Sequence, residues 1–237
     1  MKSSYILHNY GSLIQALMKV TQPKCCVEVG VFEGFSAIVM GHMLKVLSQD
    51  EKGNEGGGQL FAYDLFELYP YTNAKYTDVK QRINRFGLNE FIVLRQKDLF
   101  EAVNDFGKKS IDFMHVDVSN TGETIKNVID SWDKKIRPGG ILLFEGGSPL
   151  RDEVSWMKRY NKNKISTEIN SNITLNKKYT SLVLHPYPSM VICSKNIQFD
   201  HQTWSKFGFD RYKSGSRHGE IDENELIRIL SQNENII

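Results

Sequence analysis

Four stretches of this chain place chemically able residues where strands should end. In Val27-Glu28-Val29-Gly30-Val31-Phe32-Glu33-Gly34-Phe35-Ser36, a strand runs into a glycine-bearing turn and then a helix. Gly30 and Gly34 let the backbone pass close to a ligand that a side chain would obstruct. The acid just before the turn, Glu28, argues for a cationic or hydroxyl-rich ligand. Asp64 closes Phe61-Ala62-Tyr63-Asp64, and a carboxylate there can accept two hydroxyls at once. Asp117 ends His115-Val116-Asp117, and Glu145 ends Leu142-Leu143-Phe144-Glu145. Two carboxylates converging on one cleft can serve as a general base, or as ligands of a hard divalent cation such as Mg. They are the only metal candidates, because the histidines, His115 and His185 included, lack ligand spacing and no zinc-type cysteine pairs occur.

Those positions need a scaffold that delivers strand ends to one edge. Cys25–Val29, Gln59–Asp64, Phe91–Leu94, Ile111–Val118 and Ile141–Phe144 read as apolar strands. Helical spacing separates them at 12–20, from Ser36 to about Leu47, at 76–87 with Gly87 as cap, and at 121–135. Arg137-Pro138-Gly139-Gly140 reads as a turn. Nearly continuous apolar strands alternating with amphipathic helices indicate a buried parallel sheet. After 150 the pattern changes to a helix near 150–160, an irregular stretch at 164–176, and two strands, Tyr179–His185 and Met190–Cys193, around a Pro-rich turn. The expected fold is therefore α/β: a doubly wound, mostly parallel seven-stranded sheet with helices on both faces and an antiparallel edge hairpin. Alternation along the fourth strand puts Phe113, His115 and Asp117 on one face. A last helix is expected at about 222–231.

Composition agrees with one large domain over residues 1–237. It divides into an N-terminal helical segment (1–23), a cofactor-binding core (24–148), an edge hairpin (149–195) and a C-terminal tail with its helix (196–237). The polar, Gly-rich stretch 48–58 reads as a surface insertion. Three cysteines, two of them adjacent, do not make a secreted disulfide framework, and no apolar run suits a signal peptide or membrane span. A cytoplasmic, reduced protein is expected. The formal net charge is only +2, which gives no bulk-charge case for nucleic acid.

The stretch VEVGVFEGFSA resembles motif I of class I S-adenosylmethionine-dependent methyltransferases, small-molecule O-methyltransferases above all. The resemblance covers roughly residues 24–148 through the spacing of five successive strands. It implies that Glu28, Gly30, Gly34 and Ser36 line a site for the methionine and ribose portion of S-adenosylmethionine. It further implies that Asp64 binds the ribose and that Asp98, after the third strand, contacts the adenine amino group. Asp117 falls over the cofactor, and Asp117 and Glu145 are the catalytic candidates. Metal-dependent members use acids at these two strand ends, usually with a following Asn or Asp; this chain has Gly146 there. From Asp117 to Gly147 the sequence also resembles the branch that modifies sugars and antibiotics, which implies a hydroxylated acceptor.

Other readings remain beside this one. The dinucleotide fingerprint GxGxxG fails at Phe32, which disfavours an oxidoreductase. RNA or protein methylation lacks the Pro-Pro-aromatic signature after the fourth strand, where Asp117-Val118-Ser119-Asn120 stands. A catalytically silent cofactor-binding scaffold and a homo-oligomer both stay open. So does the role of Trp204, Phe207, Phe209 and Tyr212, as tail packing or a partner contact, and that of Tyr5, His8 and Tyr10, as a lid or a surface helix start.

Overall fold

The computed structural model describes residues 2–50, 57–71, 74–186 and 188–196. The aromatic stretch after Trp204, the helix expected at 222–231 and the centre of the Gly-rich insertion lie outside the described residues. The strands are β1 (Cys25–Val29), β2 (Gln59–Asp64), β3 (Ile92–Gln96), β4 (Ile111–Val116), β5 (Ile136–Glu145), β6 (Tyr179–Leu184) and β7 (Met190–Lys195). The helices are α1 (Tyr10–Thr21), α2 (Phe35–Asp50), α3 (Tyr76–Arg85), α4 (Leu99–Ala102), α5 (Gly122–Trp132), α6 (Pro149–Asp152), α7 (Ser155–Arg159), α8 (Ile165–Ser171) and α9 (Ile173–Lys178).

The seven strands form one sheet in the order β3-β2-β1-β4-β5-β7-β6. β1 lies between β2 and β4, and all five strands from β3 to β5 pair in parallel. β7 runs antiparallel to both β5 and β6, as the edge-hairpin expectation required. Strand order reverses between β1 and β4, and such a switch point opens a crevice at the carboxyl ends of the strands.

Alternation sends successive side chains into two apolar layers. On one face Cys26, Leu60, Phe113 and Leu143 pack with Ile14 and Met18 of α1, Met40 and Leu44 of α2, and Val79 and Ile83 of α3. On the other, Val27, Met114, Leu142 and Phe144 pack with Ile125, Val128, Ile129 and Trp132 of α5 and Ile165 and Ile169 of α8. Burying each such side chain stabilises the fold by roughly 1.5–3 kcal/mol, so losing either helical layer would expose the sheet.

Three local expectations need correction. Arg137–Gly140 is not a free turn but the start of β5. Gly139 at φ +76° takes up a register shift opposite Ile111 and Phe113, so the strand absorbs the Pro-Gly sequence as a bulge. The helix expected near 150–160 is two short helices, α6 and α7, separated at Glu153 and Val154. The stretch 164–176, expected to be irregular, holds α8 and most of α9. Its polar composition hides the four-residue spacing of buried Ile165 and Ile169, and the Asn172 side chain caps α9 by accepting from the Leu175 N–H at 3.0 Å.

Asp133, just past α5, ties the hairpin to the rest of the sheet. Its carboxylate accepts from Lys178 Nζ at 2.5 Å, from the Tyr179 hydroxyl at 3.1 Å and from Lys195 Nζ at 3.0 Å. Burial opposes its ionisation, but the hydrogen bonds from Lys178 and Lys195 outweigh that and hold the carboxyl below its usual 3.8. A lowered folded-state value contributes stability above the unfolded value, and that stability is lost as pH falls through the folded value. Asp133→Asn should therefore lower stability by about 1–3 kcal/mol near neutral pH, with the difference closing as pH falls through the lowered folded value. Urea unfolding of both proteins across that range checks it; a difference that is the same at both ends would show that the charge is irrelevant.

Candidate active site

The turn after β1 is built around missing side chains. Gly30 sits at φ +89°, and a Cβ there would lie 1.9 Å from the Asp117 carbonyl oxygen. The Asp117 N–H donates to the Val29 carbonyl at 2.9 Å, so the ends of β1 and β4 are drawn together. Phe32 follows at φ +51°, a conformation that costs a non-glycine residue about 1–3 kcal/mol unless its surroundings hold it. Asp64 supplies that hold. One of its carboxylate oxygens accepts from the Val31 N–H at 2.7 Å and the Phe32 N–H at 2.8 Å, and the other from the Phe66 N–H at 2.7 Å. A carboxylate has about four acceptor positions, so three are taken by backbone and roughly one is left for a ligand.

A cavity of about 810 Å³ opens above these strand ends. Gly30, Ser36, Asp64, Asp98, Asp117 and Glu145 line it. Asp98 lies beside Leu99 and Phe100, and its carboxylate caps α4 by accepting from the Phe100 N–H at 2.7 Å. Lys2, Ser3 and Ser4 form part of the wall, and the Lys2 N–H donates to Glu33 at 2.7 Å. Glu28 and Gly34 are placed differently from the expectation. Neither belongs to the lining; Glu28 is fully buried below it, and the Gly34 N–H closes the turn onto the Val31 carbonyl at 2.8 Å. His185 is exposed and away from the cavity, while Tyr5 and Tyr10 are buried rather than lying as a surface start.

Below the cavity runs a chain of buried polar groups. Glu28 and His115 are partners in the β1–β4 register, and Glu28 Oε1 lies 3.0 Å from His115 Nδ1. His115 Nε2 meets the Tyr5 hydroxyl at 2.9 Å. That hydroxyl also hydrogen-bonds Asp117. Burial works against a charged imidazole, but the Glu28 hydrogen bond and charge, with Asp117 and Glu145 beyond, raise the His115 pKa. Burial, then the charges of Asp117 and Glu145, hold the Tyr5 proton firmly in place. Asp117 is itself raised by burial, against the pull of His115 and the Tyr5 hydrogen bond. The sequence marks Tyr5 as a lid or helix-start residue, but nothing in it points to His115, 110 residues away.

Glu145 is held by a residue that the sequence did not single out. Arg151 donates Nε–H to Oε1 at 2.8 Å and Nη2–H to Oε2 at 3.0 Å. Burial, then the charge of Asp117, still push the Glu145 carboxyl up to about 7 against the pull of Arg151. The Arg151 guanidinium lies 5.4 Å from the centre of the Trp156 ring, and both residues line the cavity. Asn120 Nδ2 donates to the carbonyls of Val116 at 3.2 Å and Glu145 at 2.9 Å and so joins the ends of β4 and β5.

This donor set does not fit the divalent cation that Asp117 and Glu145 were expected to offer. Both Glu145 oxygens are committed to a guanidinium, whose charge would repel a metal ion. Position 146 cannot supply the missing ligand either. Gly146 has φ +105°, and a Cβ there would lie 2.6 Å from Ile165 Cδ1. Among the described residues no group of three or more His, Cys, Asp or Glu side chains is placed to hold a metal.

Comparison with known proteins fits this geometry. The family model described as "Methyltransferase domain" matches residues 27–145, which span β1 to the end of β5. The chain belongs to the methyltransferase-domain family. A search of the curated proteins finds no match. Among solved structures, a Klebsiella pneumoniae chain assigned as an O-methyltransferase superposes with a TM-score of 0.60 at 15% identity, covering 80% of each chain. The O-methyltransferase of Streptomyces achromogenes involved in tomaymycin synthesis, in complex with SAM, gives 0.57 at 15% identity over 80% of each chain. The Bacillus cereus O-methyltransferase in complex with SAH gives 0.57 at 15% identity, over 79% of this chain and 81% of that one. At these identities the likeness establishes the methyltransferase fold.

In this methyltransferase the turn depends on Asp64 before any ligand arrives. Asp64→Ala leaves three backbone N–H groups without their acceptor and should destabilise the fold by about 1–3 kcal/mol. Asp64→Asn keeps one acceptor oxygen and should lose less. Chemical denaturation of the three proteins tests the ranking, and equal stability for all would remove Asp64 from the architecture of the turn.

Proposed function

We propose that the chain transfers a methyl group from S-adenosylmethionine to a hydroxyl of a small-molecule acceptor. One observation carries the reading: a single cavity runs over the carboxyl ends of the parallel strands, from Asp98 at one end to Asp117 and Arg151 at the other. Its volume of about 810 Å³ is in the range of small-ligand sites. Family membership and the SAM- and SAH-bound state of two structural neighbours support the same donor.

The residues present suit that donor. Gly30 offers backbone without a Cβ, Ser36 lies where α2 begins, and Asp64 retains acceptor capacity for a ribose hydroxyl. Asp98, Leu99 and Phe100 provide an acid beside apolar surface for the adenine. The donor brings a methyl group already activated on sulfur. The protein's task is then to orient the acceptor and remove its proton.

Asp117 is the group we assign to that proton. It faces the cavity, and Tyr5 links it to the hydrogen-bonded pair of His115 and Glu28. The acceptor we favour is a sugar or natural-product hydroxyl, following the resemblance of the stretch from Asp117 to Gly147. We also place the protein in the cytoplasm; its three cysteines are all free, which suits a reducing compartment. No described helix is long and apolar enough to cross a membrane.

Calorimetry with S-adenosylmethionine and turnover on a panel of hydroxylated acceptors test the reading. A general base contributes about 10²–10⁴-fold, so Asp117→Asn should lose at least about 100-fold in kcat while its cofactor affinity stays within about threefold. Near-normal turnover would remove Asp117 from the base role. Failure of the unaltered protein to bind the cofactor would reject the function itself.

A further inference from the structure

The cavity contains a positive charge that the methyltransferase motifs do not account for. Arg151 reaches the end of β5 because the chain doubles back within six residues. Gly146 and Gly147 take φ +105° and +99°, and a Cβ at Gly147 would lie 2.2 Å from Val191 Cγ2. The Gly146 N–H donates to the Ser189 carbonyl at 3.0 Å, and the Ser148 N–H to Ser189 Oγ at 3.3 Å. Ser148 Oγ then accepts from the Arg151 N–H at 3.2 Å and starts α6. The turn that excludes a third acidic ligand at position 146 is the same turn that brings a guanidinium onto Glu145.

We propose that the buried Glu145–Arg151 ion pair stands in place of a divalent cation at these strand ends. The claim rests on the methyl-transfer reading and deepens it. The guanidinium is fixed by two hydrogen bonds to Glu145 and by the Trp156 ring, and its side chain is 8% exposed. A charge so fixed and desolvated acts strongly on a neighbouring dipole or proton. It acts on Asp117, where it favours the ionised carboxylate that has to take the acceptor's proton. The substrate consequence differs from that of a metal. A divalent cation favours acceptors that chelate through two adjacent oxygens, whereas a fixed guanidinium needs only one. The acceptor class is therefore a molecule with a single suitably placed hydroxyl, and a vicinal pair is not required.

The probe is Mn²⁺, followed by its paramagnetic resonance in metal-stripped full-length protein, with S-adenosylhomocysteine present. The unaltered protein should show no saturable binding up to roughly 1 mM, a range in which weak carboxylate sites already fill. Arg151→Met removes the competing charge from Asp117 and Glu145, and it should gain Mn²⁺ binding by at least about tenfold. Arg151→Lys retains the charge and should gain none, and Arg151→Gln serves if the Met variant does not fold. On any hydroxyl acceptor that the protein methylates, turnover should be the same in EDTA as in Mg²⁺. Mn²⁺ binding by the unaltered protein, turnover lost in EDTA, or no gain of metal in the neutral variants would each overturn the proposal. Absence of S-adenosylhomocysteine binding would instead overturn the methyl-transfer reading and leave the metal result standing by itself.

Discussion

The carbonyl of Asp117 occupies the space where any side chain at position 30 would begin, 1.9 Å from an ideal Cβ. Much of the site depends on that intrusion. With no atom in the way, β1 and β4 close to a 2.9 Å hydrogen bond at their ends. Closure sets Glu28 beside His115, fully buried, and puts Asp117 at the cavity floor. It also frees the Val31 and Phe32 N–H groups to turn toward β2, where Asp64 receives them. A cradle for a ligand and a buried polar chain thus follow from one vacancy in the backbone.

Charge around that floor is arranged in two pairs with one acid between them. Glu28 faces His115 on one side and Glu145 faces Arg151 on the other. Asp117 touches neither cation in a direct ion pair and answers instead to the Tyr5 hydroxyl. An acid that is held but not neutralised can still take up a proton, whereas one locked in a bidentate pair mainly shapes the field around it. The two strand-end carboxylates therefore look equivalent in the sequence and differ in the fold.

That difference marks the boundary of what the sequence makes legible. The five parallel strands, the hairpin and the strand-end acids follow from apolar runs and turn residues, which are local signals. Arg151 leaves no such signal, because only two consecutive positive-φ glycines bring it back to Glu145. The sequence Gly146-Gly147-Ser148-Pro149 carries the hint, in that a tight reversal followed by a capped helix returns the next residues to the strand end. Tyr5 is illegible for another reason. Its meaning lies in His115, a partner set by tertiary folding alone. The helices α8 and α9 are hidden by their polar composition, since Ile165 and Ile169 of α8 and Leu175 of α9 are enough to seat them but too few to stand out.

The placement of Tyr5 also bears on how the protein can be handled. Lys2, Ser3 and Ser4 form cavity wall, and Tyr5 is sealed against His115 at 1% exposure. Residues 2–5 are thus structural members of the site. Removing residues 2–5 would take the Tyr5 phenol out of the buried polar chain and cut away part of the cavity wall. Surface immobilisation and domain grafting of this protein both have to leave residues 2–5 in place.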